Sequence, residues 1–278
     1  MKKNAVVTGG TKGIGKEICR QLAAKDYNIL FLGRDEEAGK AVQAEFSQQF
    51  PTVDITYQQA DFGTIAKTKA AIPPIQAHFP ELDLLVNNAG MWTTKLSLNE
   101  DGFEQSFVVN HFAPLIISHG LRPQLRAKSP SRIVTVNSGL YMRGQYDPEK
   151  TPWGKDFHRI HTYSNSKLCN TMVNIEMAEK LKEENITLNG LHPGVINTGL
   201  GDMAGIMGWL LNLIKKRWGT PEEGAEAPVW VSTAEELEGV TGKFFNLKEE
   251  MAYTDNATNP AVRKELFEKS MEWTGLSW

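Results

Sequence analysis

The sequence predicts an α/β protein: one domain on a doubly wound parallel sheet of about seven strands, an expectation that rests on three observations. Asn4 to Thr8 reads as a short apolar strand that runs straight into a glycine-rich turn and a helix start, Gly9-Gly10-Thr11-Lys12-Gly13-Ile14-Gly15. Apolar runs then alternate with segments of helical period along the rest of the chain, the pattern of a parallel sheet covered on both faces. No linker, low-complexity run or repeat divides the 278 residues, so residues 1–278 are expected to form a single domain.

Taken in order, Ile14, Ile18, Leu22 and Ala23 repeat at helical spacing and lead to the apolar run Tyr27 to Leu32, completing a strand, helix, strand unit. A helix over Glu36 to Phe50, a strand over Val53 to Gln58, a helix over Ile65 to Ala77 and a strand over Leu82 to Val86 follow. One long helix is expected from Phe103 to Ala127 before the strand Arg132 to Val136. A helix through Tyr163 to Glu184 precedes Ile186 to Leu191, and a helix near Glu222 to Ser232 precedes Lys243 to Asn246. In such sheets ligands bind beyond the carboxyl ends of the strands, which directs attention to the residues there.

The first strand end is the glycine turn. Glycines 9, 13 and 15 let the backbone turn tightly and approach an anion, and the helix they open aims its free N–H groups and positive dipole end at it. A dinucleotide pyrophosphate is the expected anion. Gly10 and Gly15-Lys16 also have P-loop spacing, but Glu17 stands where a P-loop places a magnesium-binding hydroxyl, and its carboxylate would repel phosphates. The second strand ends at Gly33-Arg34-Asp35. Arg34, with Lys12 on the same side, suits the 2′-phosphate of NADP(H), whereas Asp35 would suit the free ribose of NAD(H), the less favoured cofactor. Later strands end at Asp61-Phe62, Asn87-Asn88-Ala89-Gly90, Asn137-Ser138-Gly139 and His192-Pro193-Gly194.

With these residues in order the chain resembles the short-chain dehydrogenase/reductase family, over nearly its whole length. The motifs are Thr8-Gly9-x3-Gly13-x-Gly15, Asp61, Asn87-Asn88-Ala89-Gly90, Asn110, Ser138, Tyr163-x3-Lys167 and Pro193-Gly194. The stretches from Tyr163 to Asn170 and from Leu191 to Thr198 look like its retinol dehydrogenase-like branch. The resemblance implies a Rossmann fold and a cofactor lying along Gly9, Thr11, Lys12, Gly13, Ile14, Gly15, Arg34, Asp61, Phe62, Asn88, Ala89 and Gly90. It then implies contacts with Tyr163, Lys167, Pro193, Gly194, Val195 and Thr198 at the nicotinamide end, with Asp61 on the adenine amine and Asn87 bracing the fourth strand. The same resemblance makes Asn110, Ser138, Tyr163 and Lys167 catalytic: Tyr163 protonates the carbonyl oxygen, Ser138 hydrogen-bonds it, Lys167 holds the nicotinamide ribose and Asn110 positions a relay water.

Physical chemistry supports part of this independently. Tyr163 and Lys167 are one helical turn apart and share a face, and an ammonium beside a phenol favours the phenolate, bringing a poor base toward a working pKa. Other constellations are weaker. Val136 stands where a hydrolase elbow needs its first glycine, so Ser138 does not read as a nucleophile, and His158 and His161 lack a third ligand at metal-binding spacing. No metal is expected.

Two segments depart from the family pattern. The spacing from Ser138 to Tyr163 is longer than in its shorter members, so residues 141–160 read as an inserted surface loop. Asn197 replaces a basic residue common in the branch. Residues 199–219 include the apolar run Met203 to Ile214, followed by Lys215-Lys216-Arg217; it reads as a substrate lid, a core helix or a face resting on a membrane surface. That run is too short for a span of about 20 residues. A net charge of -3 gives no footprint for nucleic acid, and Cys19 and Cys169 lack metal or redox spacing. The expectation is a cytoplasmic enzyme, monomeric or weakly dimeric, with peripheral membrane contact left open. It interconverts an apolar alcohol with its ketone or aldehyde, mainly by reduction; the alternative is a dinucleotide-binding sensor or scaffold without turnover.

Overall fold

In a computed structural model of the chain, residues 2–195 and 219–278 are described. The strands are β1 (Lys3–Thr8), β2 (Tyr27–Gly33), β3 (Ile55–Gln59), β4 (Leu84–Asn87), β5 (Ser131–Val136), β6 (Ile186–His192), β7 (Phe244–Asn246) and β8 (Glu249–Met251). They form one eight-stranded sheet in the order β3-β2-β1-β4-β5-β6-β7-β8, parallel except for β8, which runs antiparallel to β7. The order reverses between β1 and β4, and a crevice opens there beyond the strand ends.

The helices are α1 (Gly13–Ala23), α2 (Glu36–Gln49), α3 (Ile65–Ala70), α4 (Ile72–His78), α5 (Gln105–Phe107), α6 (Ala113–Gly120), α7 (Arg122–Ala127), α8 (His161–Leu181), α9 (Pro221–Thr233), α10 (Asp255–Thr258) and α11 (Pro260–Thr274). Successive strand residues feed opposite core layers, as the pleat requires. Val6, Leu30 and Leu85 pack beneath α6 and α8 with Ile116, Leu168 and Met172. Ala5, Val7, Phe31 and Val86 face the other way, against Ile18 and Leu22 of α1 and Val229 of α9. Among the described residues no helix is long and apolar enough to cross a membrane.

Several expectations need correction. Against the expected count of about seven, the described residues form eight strands, because Leu247 takes a positive φ of 56° and turns the chain into the short edge strand β8. Both long helices expected from periodicity are broken at prolines, which lack the N–H for an i−4 bond. The first splits at Ala71, ahead of prolines in the first turn of α4. The second becomes α5, a π-helical turn over Val108–Phe112, α6 with proline in its first turn, and α7 likewise.

The inserted segment 141–160 is not wholly a surface loop. Tyr141 is fully buried, and Trp153 stacks on Phe103 at 4.6 Å between ring centroids and meets Trp273 of α11 edge-on. Helix α11, which the sequence reading did not anticipate, lies along α8, with Arg263 donating to Glu176 at 2.8 Å. Most of the expected lid, with Asn197 and Thr198, lies outside the described residues. Its flanks meet: the Gly219 N–H donates to the Val195 carbonyl at 3.1 Å.

Candidate active site

A cleft of about 1070 Å³ runs from the glycine turn, across the ends of β1, β4 and β5, to α8. A Cβ on Gly15 would lie 2.1 Å from the Gly9 carbonyl oxygen, and Gly9 itself adopts a φ of +71° against Ala89. Only glycine fits either position. Helix α1 begins after Lys12 with no side-chain cap and no acidic residue in its first turn, so its N–H groups face the cleft. Asn88 is spent on this cradle: its side-chain amide donates to the Thr8 and Gly9 carbonyls at 3.0 and 3.3 Å. The backbone N–H groups of Asn88 and Ala89 both donate to the Thr8 hydroxyl at 3.0 Å.

At the β2 end the acidic and basic neighbours have different tasks. Asp35 is the N-cap of α2, accepting from the Ala38 N–H at 3.0 Å, while Arg34 lines the cleft. Asp61 accepts from the Gly63 N–H at 3.0 Å and pairs with Lys67 at 3.1 Å. Partial burial pushes its carboxyl up, but the Lys67 and Gly63 hydrogen bonds and the nearby Arg34 charge together hold it below its usual value. Lys67, also in the cleft wall, was not singled out in the sequence; its signal is the Thr64 cap, which starts α3 and brings Lys67 round to face Asp61.

Asn87 donates to the Ser118 hydroxyl at 2.9 Å, bracing β4 against α6. Asn110 sits in the π-helical turn with its side chain committed: it accepts from the Met91 N–H at 2.7 Å and donates to the Met91 carbonyl at 2.8 Å and the Ser166 hydroxyl at 2.9 Å. It stands behind Gly90 rather than in the cleft wall, and a Cβ on Gly90 would lie 3.4 Å from its Oδ1 and 3.7 Å from Lys167 Nζ.

Asn137 fixes the reactive end. Its amide donates to the Lys167 carbonyl, Asn170 and Thr171, clamping β5 to α8 and so holding Ser138 in register with Tyr163 and Lys167. The Ser138 hydroxyl accepts from the Leu140 N–H at 3.2 Å and lines the cleft with the Tyr163 phenol. Burial pushes the phenol up to about 12, and the nearby Ser138 hydroxyl opposes this only in part. Lys167 is pushed down to about 8 by burial; its Nζ donates to the Val136 carbonyl at 3.2 Å and lies 5.8 Å from the Tyr163 ring centroid. The expectation that this ammonium brings the phenol toward neutral pH is therefore corrected. Desolvation raises the phenol, and Lys167 is not among the groups that lower it.

Every predicted cofactor residue that is described lines the cleft, except Val195, which is exposed beside it. His192, read in the sequence only as a strand end, lines the cleft with its Nδ1 without a partner among the described residues and its ring against Gly139; the wall residue Met91 was missed because a lone Met gives no spacing signal.

A family model described as short chain dehydrogenase matches residues 3–205. Retinol dehydrogenase 14 of Homo sapiens is 30% identical over 99% of this chain and 87% of its own. Retinol dehydrogenase 13 of Homo sapiens is likewise 30% identical, over 99% and 85%. A crystal structure of an uncharacterized protein from Mycobacterium Paratuberculosis superposes with a TM-score of 0.79 at 20% identity, covering 99% of this chain and 94% of that one. A short chain dehydrogenase from Burkholderia cenocepacia in complex with NADP gives 0.72 at 24% identity, over 89% and 97%. The chain thus belongs to the short-chain dehydrogenase family of oxidoreductases and is retinol dehydrogenase-like within it.

Proposed function

We propose that the protein is an NADP(H)-dependent oxidoreductase interconverting an apolar alcohol with its ketone or aldehyde, chiefly as a carbonyl reductase. The observation that carries this reading is the buried Tyr163 phenol, which lines the same cleft as Ser138, Lys167 and the glycine cradle. The residues present fit a dinucleotide: side chains at Gly9 and Gly15 would fill the cradle, and the uncapped start of α1 suits a pyrophosphate. Arg34 and Lys12 favour a 2′-phosphate, and Asp35, occupied as a helix cap, does not compete for the ribose. The NADP named for the Burkholderia cenocepacia relative agrees with this choice.

When bound, the nicotinamide supplies the hydride. The chain supplies the proton and the polarisation. Tyr163 donates its hydroxyl proton to the carbonyl oxygen, and Ser138 donates a hydrogen bond to that oxygen as negative charge builds there. Lys167, fixed by the Val136 carbonyl, sits beside Gly90 where it can hold the ribose and return a proton to Tyr163. Asn110 holds the Met91 backbone and so the wall of the cleft.

Two further readings accompany this one. Helix α11 covers α8 through Arg263–Glu176 and meets the π-helical turn through Ser270 and His111 at 2.8 Å, which supports a monomer. Buried, unpaired Cys19 and Cys169 fit a reducing compartment such as the cytoplasm. A panel of retinoid, steroid, quinone and small aliphatic carbonyls, followed by NADPH absorbance, tests the function. Consumption of NADPH with an apolar member is expected, and turnover of none would favour a sensor.

A further inference from the structure

Trp92 stands beside the proposed chemistry without a role in it. Its indole lies flat on the Tyr163 ring, with 4.9 Å between centroids and 18° between planes, an offset-stacked geometry. Trp92 belongs to neither core layer and is only half-buried in the cleft wall, so the fold does not depend on it as filling.

Its placement is nonetheless fixed from three sides. On one side of it in the chain, Met91 exchanges two backbone hydrogen bonds with the Asn110 side chain. On the other, the Thr93 hydroxyl bonds to Glu104 at 3.0 Å and to Ser106 at 2.9 Å. The indole N–H donates to the Arg159 carbonyl in the inserted segment. That segment is itself held to the residues around Glu104: the Glu104 N–H donates to the Pro152 carbonyl at 2.8 Å, and a Cβ on Gly154 would lie 2.5 Å from Leu96.

We propose that Trp92 is a positioning residue for Tyr163. Its tethered indole covers one face of the phenol, and the substrate oxygen meets the hydroxyl along the edge shared with Ser138. The inference rests on the reading of Tyr163 as proton donor. It gives the inserted segment a task, because the Arg159 carbonyl is the far end of the tether. A phenol free to tilt would present its proton off line, and small misplacements of a reacting group cost large factors in rate. Trp92 therefore governs kcat more than cofactor affinity.

Two measurements on the full chain test this, each on wild type, Trp92→Ala and Trp92→Phe. The first is nitration by tetranitromethane with peptide mass mapping, which needs no substrate. Tyr163 is expected to nitrate several-fold faster in Trp92→Ala than in wild type, Trp92→Phe is expected to keep most of the protection, and the fully buried Tyr141 serves as the control for folding. Equal Tyr163 nitration in all three, with Tyr141 protected, would overturn the cover. The second is steady-state reduction of 4-nitrobenzaldehyde by NADPH. Trp92→Ala is expected to lose roughly tenfold in kcat with the NADPH dissociation constant within about twofold, and Trp92→Phe to recover most of the loss. A Trp92→Phe variant as slow as Trp92→Ala would overturn the stack as the cause. Tyr163→Phe runs beside them: turnover surviving there brings down the proton-donor reading itself, whereas wild-type kcat in Trp92→Ala brings down only the role of Trp92.

Discussion

Lys167 directs its ammonium to the Val136 carbonyl, 3.2 Å away, and not to the phenol of Tyr163 one turn earlier on α8. The lysine is thereby a fixed point in the cleft, and the phenol is left to burial and to Ser138.

Tyr163→Phe removes the proposed proton donor and little else. Turnover should fall by roughly a hundredfold or more, the scale of general acid catalysis, while NADPH affinity stays within a few-fold. Rates from the substrate panel with parallel NADPH titrations check this, and a variant that keeps its turnover would end the mechanism.

Burial of Lys167 has a consequence for stability against pH. Its pKa is near 8 in the folded chain, below the ordinary lysine value of the unfolded one, so between these limits the unfolded state binds more protons. The cost of burying the ammonium is present in full below pH 8 and fades as pH rises toward the unfolded value. Lys167→Met should therefore gain most over wild type near neutral pH, by on the order of 3 kcal/mol before loss of the Val136 hydrogen bond is counted. That advantage should shrink as pH rises above 8. Urea titrations of both proteins at neutral and alkaline pH measure the difference, and a gap that does not narrow would contradict the sign.

Arg34→Ala tests cofactor choice. A charge-assisted hydrogen bond to a 2′-phosphate is worth about 1.5 to 3 kcal/mol, so NADPH binding should weaken by that amount while NADH binding barely changes. Equal losses for both cofactors would show that Arg34 does not read the phosphate.

The seam between α11 and α8 carries the prediction for assembly. Arg263 and Glu176 are each less than 15% exposed at 2.8 Å, and Arg263 also reaches Glu179 at 3.6 Å. Arg263→Glu would set a carboxylate against the largely buried Glu176, with the exposed Glu179 nearby, and should lower Tm by several degrees. Light scattering should find the wild type monomeric and the variant prone to associate through the loosened face. A stable wild-type tetramer would refute this.

What could be read from the sequence follows from what each signal requires. The glycine cradle and the strand-end residues were legible because each needs a particular residue at a particular place, as Gly15 does against the Gly9 carbonyl. Strand β8 was not, since two glutamates on an edge carry no apolar alternation and the turn before it uses Leu247 where glycine or asparagine would announce a hairpin. Hydrophobic period runs unchanged through Val108–Phe112, so it does not register a π-helical turn that alters only the hydrogen-bond pattern. The pKa of Tyr163 was misjudged for a related reason: spacing places Lys167 near it, but only packing shows how dry the phenol is and where the ammonium points.

Asn88 ties both Thr8 and Gly9 to the end of β4. The chain's own hydrogen bonds thus shape the cradle, and less ordering is left for a dinucleotide's phosphates to supply. Asn88→Ala would move that ordering into the binding step itself, and it would be felt as slower capture of either nicotinamide cofactor, with no preference for the 2′-phosphate.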